Sequence, residues 1–256
     1  MVVLYEDNHI IVVNKQSGEI VQGDKTGDRP LSEIVKDYIK EKYQKPGAVF
    51  LGVVHRLDRP VGGLVVFART SKALARLNKM FAEKEQVRKT YWAIVEVRNE
   101  KLEMKNGNEE MKKCCERNHS SFLTPHSSFT TITHWLVRNE KQNKSYAYST
   151  EKPNSKKAIL KYRMLAKGDN YNLLEVQLLT GRHHQIRCQL STIGYPIKGD
   201  LKYGAKRSNP DGSISLQSHR IEFVHPVSKE TISIEAPVPN DPLWKALTMN
   251  IVKGDR

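Results

Sequence analysis

The strongest constraint on the fold of this chain is a pair of short apolar runs, Val49–Val54 and Leu64–Ala68, on either side of a Pro- and Gly-containing break. Short Val- and Phe-rich runs interrupted in this way predict two strands joined by a loop. The stretch from His55 to Leu64 reads His-Arg-Leu-Asp-Arg-Pro-Val-Gly-Gly-Leu and carries a single carboxylate, Asp58, flanked by Arg56 and Arg59. Neighbouring guanidinium charges favour the ionised form of an acid. Two readings are open at this point. Asp58 is either a turn residue in a surface ion pair or a carboxylate kept ready as a nucleophile or base.

At 256 residues the chain can bury a real core. Its 42 Lys and Arg stand against 28 Asp and Glu, a formal net charge of +14. A field of that size favours a polyanion, either nucleic acid or an anionic membrane surface. No stretch approaches the ~18 apolar residues of a membrane span. The start, Met1 to Asp7, turns acidic at once and lacks the pattern of a signal peptide. Three cysteines, with Cys114 and Cys115 adjacent, make neither a disulfide framework nor a spaced zinc site, and a reduced cytoplasm is expected.

Along the chain, His9 to Lys15 predicts a strand ending in a basic residue. Leu31, Ile34, Val35, Tyr38 and Ile39 fall at helical spacing after Pro30. Thr70-Ser71 caps a second helix with Leu74, Leu77, Met80 and Phe81 on its buried face, and Lys72, Arg76, Lys79, Lys84, Arg88 and Lys89 on and beyond it. Lys89 to Val95 alternates as a strand that sets Tyr91, Ala93 and Val95 on one side. From Asn99 to Tyr148 the chain turns polar, with eight Lys and Arg against six Glu, so most of the positive charge lies elsewhere. Its first part, Asn99 to Ser128, reads as an excursion, and Thr130 to Val137 as a strand. Lys156–Ala166 and Tyr171–Leu179 are further strands, Ser218–Val224 and Thr231–Ile234 a closing hairpin, and Pro242–Ile251 a last helix.

A second informative stretch is Thr180-Gly181-Arg182-His183-His184-Gln185-Ile186-Arg187. A strand ends, Gly181 permits a tight turn, and a helix begins that buries Ile186 and Leu190. A helix start carrying Arg182, His183, His184 and Arg187 suits an anion, either a phosphate or a carboxylate from elsewhere in the fold. Adjacent histidines point to different sides of a helix and make a poor metal pair.

These stretches together resemble the RluA family of RNA pseudouridine synthases. His55-Arg56-Leu57-Asp58-Arg59 with Gly62-Gly63-Leu64 is similar to its catalytic signature, Thr180 to Arg187 to its second signature, and Lys89-Thr90-Tyr91 to its tyrosine strand. Glu6-Asp7 through Asn14-Lys15, Gly199-Asp200-Leu201-Lys202-Tyr203-Gly204 and the ending Leu216 to Pro237 match in the same order. The resemblance implies an α+β fold, with a mixed, mainly antiparallel sheet flanked by helices and a central active-site cleft. It implies one catalytic domain over residues 1–256 with a polar excursion at about 99–128 and no S4-type RNA-binding domain in front.

The implied reaction isomerises uridine in ribosomal or transfer RNA to pseudouridine and needs no cofactor or metal. The resemblance makes Asp58 the essential carboxylate, Arg187 the partner that holds it ionised, and Tyr91 the ring against the flipped base. Arg56 would fill the gap left by base flipping, with Arg59, Arg182, His183 and Gln185 also serving the RNA. A monomer acting on RNA in the cytoplasm, away from membranes, is expected. The alternative is a non-catalytic RNA-binding or RNA-folding factor on the same fold; a DNA-binding protein has no groove-reading helix motif to support it.

Overall fold

A computed structural model of the chain describes residues 1–83, 86–97 and 128–254, so nearly all of the expected excursion, and Lys84, lie outside the described residues. In chain order the elements are β1 (Val2–Glu6), β2 (Ile10–Lys15), α1 (Leu31–Lys42), β3 (Gly52–Val53), β4 (Gly62–Ala68), α2 (Ser71–Glu83) and β5 (Val87–Glu96). Then follow β6 (Thr130–Asn139), β7 (Lys144–Tyr148), β8 (Lys156–Lys167), β9 (Tyr171–Leu178), α3 (Gln185–Thr192), β10 (Leu216–Val224), β11 (Thr231–Glu235) and α4 (Pro242–Gly254). They gather into two compact units, Met1–Thr90 with Gln217–Pro237, and Tyr91–Leu216 with Val238–Arg256.

The first unit is built on strands in the order β1-β2-β4-β10, antiparallel except for the β4–β10 pair, with β11 antiparallel to β10. Ile10, Val12, Leu64, Val66 and Ala68 pack with Ala73, Leu77, Met80 and Phe81 of α2. The alternate residues Ile11, Val13, Val65 and Phe67 pack with Leu31, Val35 and Ile39 of α1. Both faces of β2 and β4 are thus covered. This is why their sequences are continuously apolar rather than alternating. Thr70 opens α2 as expected, its Oγ1 accepting the Ala73 N–H at 3.2 Å.

The strand expected over Val49–Val54 shrinks to β3, only two residues. The reason lies in β4, one edge of which is filled by β2 from Gly63 to Ala68. On the other edge β10 takes Gly62 and Gly63, leaving β3 only Phe67 and Ala68. Between them the His55 side chain takes over, its Nε2 accepting the Val66 N–H at 3.1 Å. Gly63 permits the close β4–β10 approach: its φ is +110°, and a Cβ there would lie 2.3 Å from the Ser218 carbonyl oxygen.

In the second unit the strand order is β5-β9-β8-β6-β7, with the β9–β8, β8–β6 and β6–β7 pairs antiparallel. Strand β7 went unread in the sequence because its outward residues are Lys144, Tyr146 and Tyr148 and its inward ones only Ser145 and Ala147. An edge strand with two small inward residues gives no apolar alternation. Helix α3 covers β6–β8 through Cys188, which joins Leu136, Ala147 and Ala158. Helix α4 covers the other sheet region through Trp244 and Leu247, against Leu165, Ala166 and Leu173. Trp92 and Ile94 join this α4 cluster, so Tyr91, Ala93 and Val95 point to the opposite face of β5, as expected from alternation. The architecture is α+β, as the resemblance implied. Among the described residues no helix is long and apolar enough to cross a membrane.

Candidate active site

The Asp58 loop belongs to the first unit and is tied down from behind. Lys15, the last residue of β2, is 1 % exposed. Its Nζ donates to the carbonyls of Gln16 at 3.0 Å, Arg59 at 3.1 Å and Val61 at 2.6 Å. Ser17 Oγ donates to the Pro60 carbonyl at 3.2 Å, and the Gly18 N–H to that of Arg59 at 2.9 Å. Within the loop, the Val61 N–H donates to the Asp58 carbonyl at 3.0 Å. Burial pushes the Lys15 ammonium down to about 8, while the nearby Glu19 and Asp58 charges favour the cation. A half-buried carboxylate therefore sits on a backbone whose next residues are gripped by an internal cation.

The residues flanking Asp58 are used differently. Arg59 is turned back, donating from Nε to the Gly18 carbonyl at 3.1 Å and pairing with Asp28. Arg56 is exposed. His55 stacks on Phe81 with ring centroids 5.3 Å apart. Burial first, and the Lys89 charge second, hold its imidazole well below the ordinary histidine value, so it is the neutral acceptor that the Val66 N–H requires.

The second signature lies in the other unit, where the Gly181–His184 turn feeds α3. His184, at φ 51°, is the left-handed residue that starts the helix. Gln185 is 3 % exposed. Its Oε1 accepts from Thr180 Oγ1 at 2.8 Å and the Arg182 N–H at 2.9 Å, and its Nε2 donates to the Ile159 carbonyl at 3.1 Å. Grouped with the RNA-contacting residues on the sequence, it is instead spent inside the protein and shapes the turn that carries Arg182 and His183.

Arg187 is 6 % exposed and gripped by Asp200, Nε to Oδ2 at 2.7 Å and Nη2 to Oδ1 at 2.8 Å. Its guanidinium lies 5.1 Å from the Tyr203 ring centroid. The Tyr203 hydroxyl meets His184 Nδ1 at 3.0 Å and accepts the Ser145 N–H at 2.8 Å. Burial, and after it the Arg187 charge, push His184 down to about 2, leaving it neutral. Burial pushes the Tyr203 hydroxyl up to about 12, so it stays a donor. Arg182 is exposed and donates from Nε to the Lys157 carbonyl at 3.0 Å. The His183 ring meets Ser145 Oγ at 2.9 Å and Asn143 Oδ1 at 3.0 Å. Tyr91 is 7 % exposed on β5.

Asp58, Arg56 and Arg59 thus lie in the first unit, and Tyr91, Arg182, His183, Gln185 and Arg187 in the second. Two residues given no role on the sequence, Lys15 and Asp200, hold the loop and the arginine. For Lys15 a signal existed, a lone cation ending the apolar run Ile10–Val13.

Residues 9–192 match the family model of the RNA pseudouridylate synthases. The uncharacterized RNA pseudouridine synthase YhcT of Bacillus subtilis is 30 % identical over 244 residues, 93 % of this chain and 69 % of that protein. The chain belongs to the RNA pseudouridine synthase family. Within that family, the ribosomal large subunit pseudouridine synthase C of Vibrio cholerae is 29 % identical over 92 % of this chain and 65 % of its own length. The chain spans about two thirds of the curated relatives it matches, 65 % for a Synechocystis RNA pseudouridine synthase. In fold it is similar to the human RNA pseudouridylate synthase domain containing 4, with a TM-score of 0.70 at 19 % identity, covering 98 % of this chain and 93 % of that one.

Proposed function

We propose that this family member is catalytically active and isomerises uridine in ribosomal or transfer RNA to pseudouridine, with Asp58 as the essential carboxylate. The observation that carries this reading is the grip of Lys15 on the carbonyls of Arg59 and Val61, which fixes the backbone immediately after the acid. The reaction breaks the bond from uracil N1 to ribose C1′, turns the base and joins C5 to C1′, after which the C5 proton is lost. No electrons or groups are gained or lost. Its demands are a positioned carboxylate and a proton acceptor at the end, both of which rest on preorganisation. Arg187, aimed by Asp200, and Tyr91, against the base, serve the same turnover. Arg56, exposed and two residues before the acid, fills the stack vacated by the flipped uridine.

The test is pseudouridine mapping of total RNA from cells carrying the wild-type chain, the Asp58→Asn variant, or neither. Sites lost alike in both deficient cells support the proposal and name the substrate. A site retained with Asp58→Asn but lost without the chain would leave only a non-catalytic role.

A further inference from the structure

The second unit contains a pocket of about 220 Å³ lined by Arg138, Ser145, Asn154, Lys156, Arg182 and His183, together with Leu136 and Gly181. We infer that it seats a backbone phosphodiester of the RNA, a subsite that rests on the substrate class proposed above. Cross-strand register explains how the cations meet. Leu136 pairs with Lys156 across β6–β8, and Arg138 pairs with Ser145 across β6–β7. Directly opposed residues share a sheet face, and residues two apart on one strand share it too. Lys156, Leu136, Arg138 and Ser145 are therefore the floor, and the turn Gly181–His183 is the wall above it.

That arrangement gathers positive charge on one face. Arg138 and Lys156 are diagonal neighbours on one face, within reach of each other for side chains of their length. None of the eight lining residues is acidic. Among the described residues Arg138 makes only a loose ion pair, 3.9 Å to a Glu140 carboxylate that is 81 % exposed. No described carboxylate pairs with Lys156 or Arg182. The positive field reaches inward: charges on Arg187, His183, Lys202 and Arg138 add to burial in holding His184 neutral. Cations gathered on one face with no acid among the lining residues suit an anion. The pocket also offers an uncharged polar group, the Asn154 amide, while the Ser145 hydroxyl is spent on His183, donating to its carbonyl at 2.8 Å and meeting its ring at 2.9 Å. A ring of cations with an amide beside it matches a singly charged phosphodiester better than it matches a base.

The test uses the full chain in the Asp58→Asn background, so that binding is read apart from turnover. Affinity for an unmodified large-subunit ribosomal RNA transcript is measured from low to moderate salt, with Arg138→Gln and Lys156→Gln added singly. Each variant should bind roughly 10-fold more weakly near 0.1 M salt, and each should flatten the salt slope by about 0.7 to 0.9. Both side chains are exposed at their heads, and an unchanged thermal melt verifies the fold. Wild-type affinity and slope in both variants overturn the inference, even if pseudouridine formation itself is established. Inorganic phosphate and uridine monophosphate are titrated in parallel. Loss of their binding with RNA binding intact also overturns it, assigning the pocket to a small phosphorylated ligand instead.

Discussion

Replacing Asp200 by Asn isolates what the buried ion pair contributes. Asp200 and Arg187 are 1 % and 6 % exposed, and their forks meet at 2.7 and 2.8 Å. At an effective dielectric near 20, unit charges ~4 Å apart interact by about 4 kcal/mol. Removing one partner of a buried pair typically costs 3–5 kcal/mol, because the remaining charge stays buried without compensation, so about 3–5 is the general scale. Asn keeps the shape and one acceptor oxygen but turns an amide N–H₂ towards the guanidinium. We therefore expect a loss of about 3 kcal/mol, a large part of a typical stability of roughly 5–15. Urea unfolding followed by tryptophan emission reads it, since Trp244 and Trp92 lie in the same unit. Arg187→Met and the double variant Arg187→Met/Asp200→Asn complete a cycle whose coupling should be about 1.5–3 kcal/mol. Turnover should fall with Asp200→Asn because Arg187 loses its aim. A cost below about 1 kcal/mol, or additive single changes, would refute the reasoning and make the pair equivalent to a surface one.

The pH dependence of stability should reveal Lys15. Its ammonium titrates near 8 in the folded chain against 10.5 ordinarily. Between those values the unfolded chain holds more protons, so this group's contribution to stability rises with pH, by about 2 kcal/mol from pH 7 to 9.5. The gain should be visible in wild type relative to Lys15→Met; parallel pH curves for the two would discount the internal cation. At Gly63, positive φ and a Cβ 2.3 Å from Ser218 predict that Gly63→Ala loses at least about 3 kcal/mol. At Gly62 the nearest approach is 3.4 Å, to the Lys15 carbonyl, so Gly62→Ala should cost no more than about 1 kcal/mol. Equal melting temperatures for the two variants would contradict this account of the β4–β10 approach.

What could be read in the sequence was what is local or periodic. The continuous apolar runs of β2 and β4, the stripes of α1 and α2 and the Thr70 cap are set by neighbours a few residues apart, and each forms as expected. The two signatures are contiguous as well, so the family resemblance could single out Asp58 and Arg187 as candidates. Strand β7 did not, because its inward pair, Ser145 and Ala147, carries no apolar signal.

The rest depends on contacts between distant residues. Lys15 reaches carbonyls 44 and 46 residues away. Asp200 meets Arg187 from beyond the end of α3, and Arg138 meets Arg182 at one pocket only after three strands and a turn are assembled. Backbone carbonyls look alike in every sequence, and a charge does not declare its partner. The sequence by itself determined the sheet-forming runs, the helices and, through the family resemblance, the candidate site residues. Tertiary structure decided which cation is buried, which acid grips the arginine and which three cations line one pocket, because only packing brings residues distant in the chain to one place.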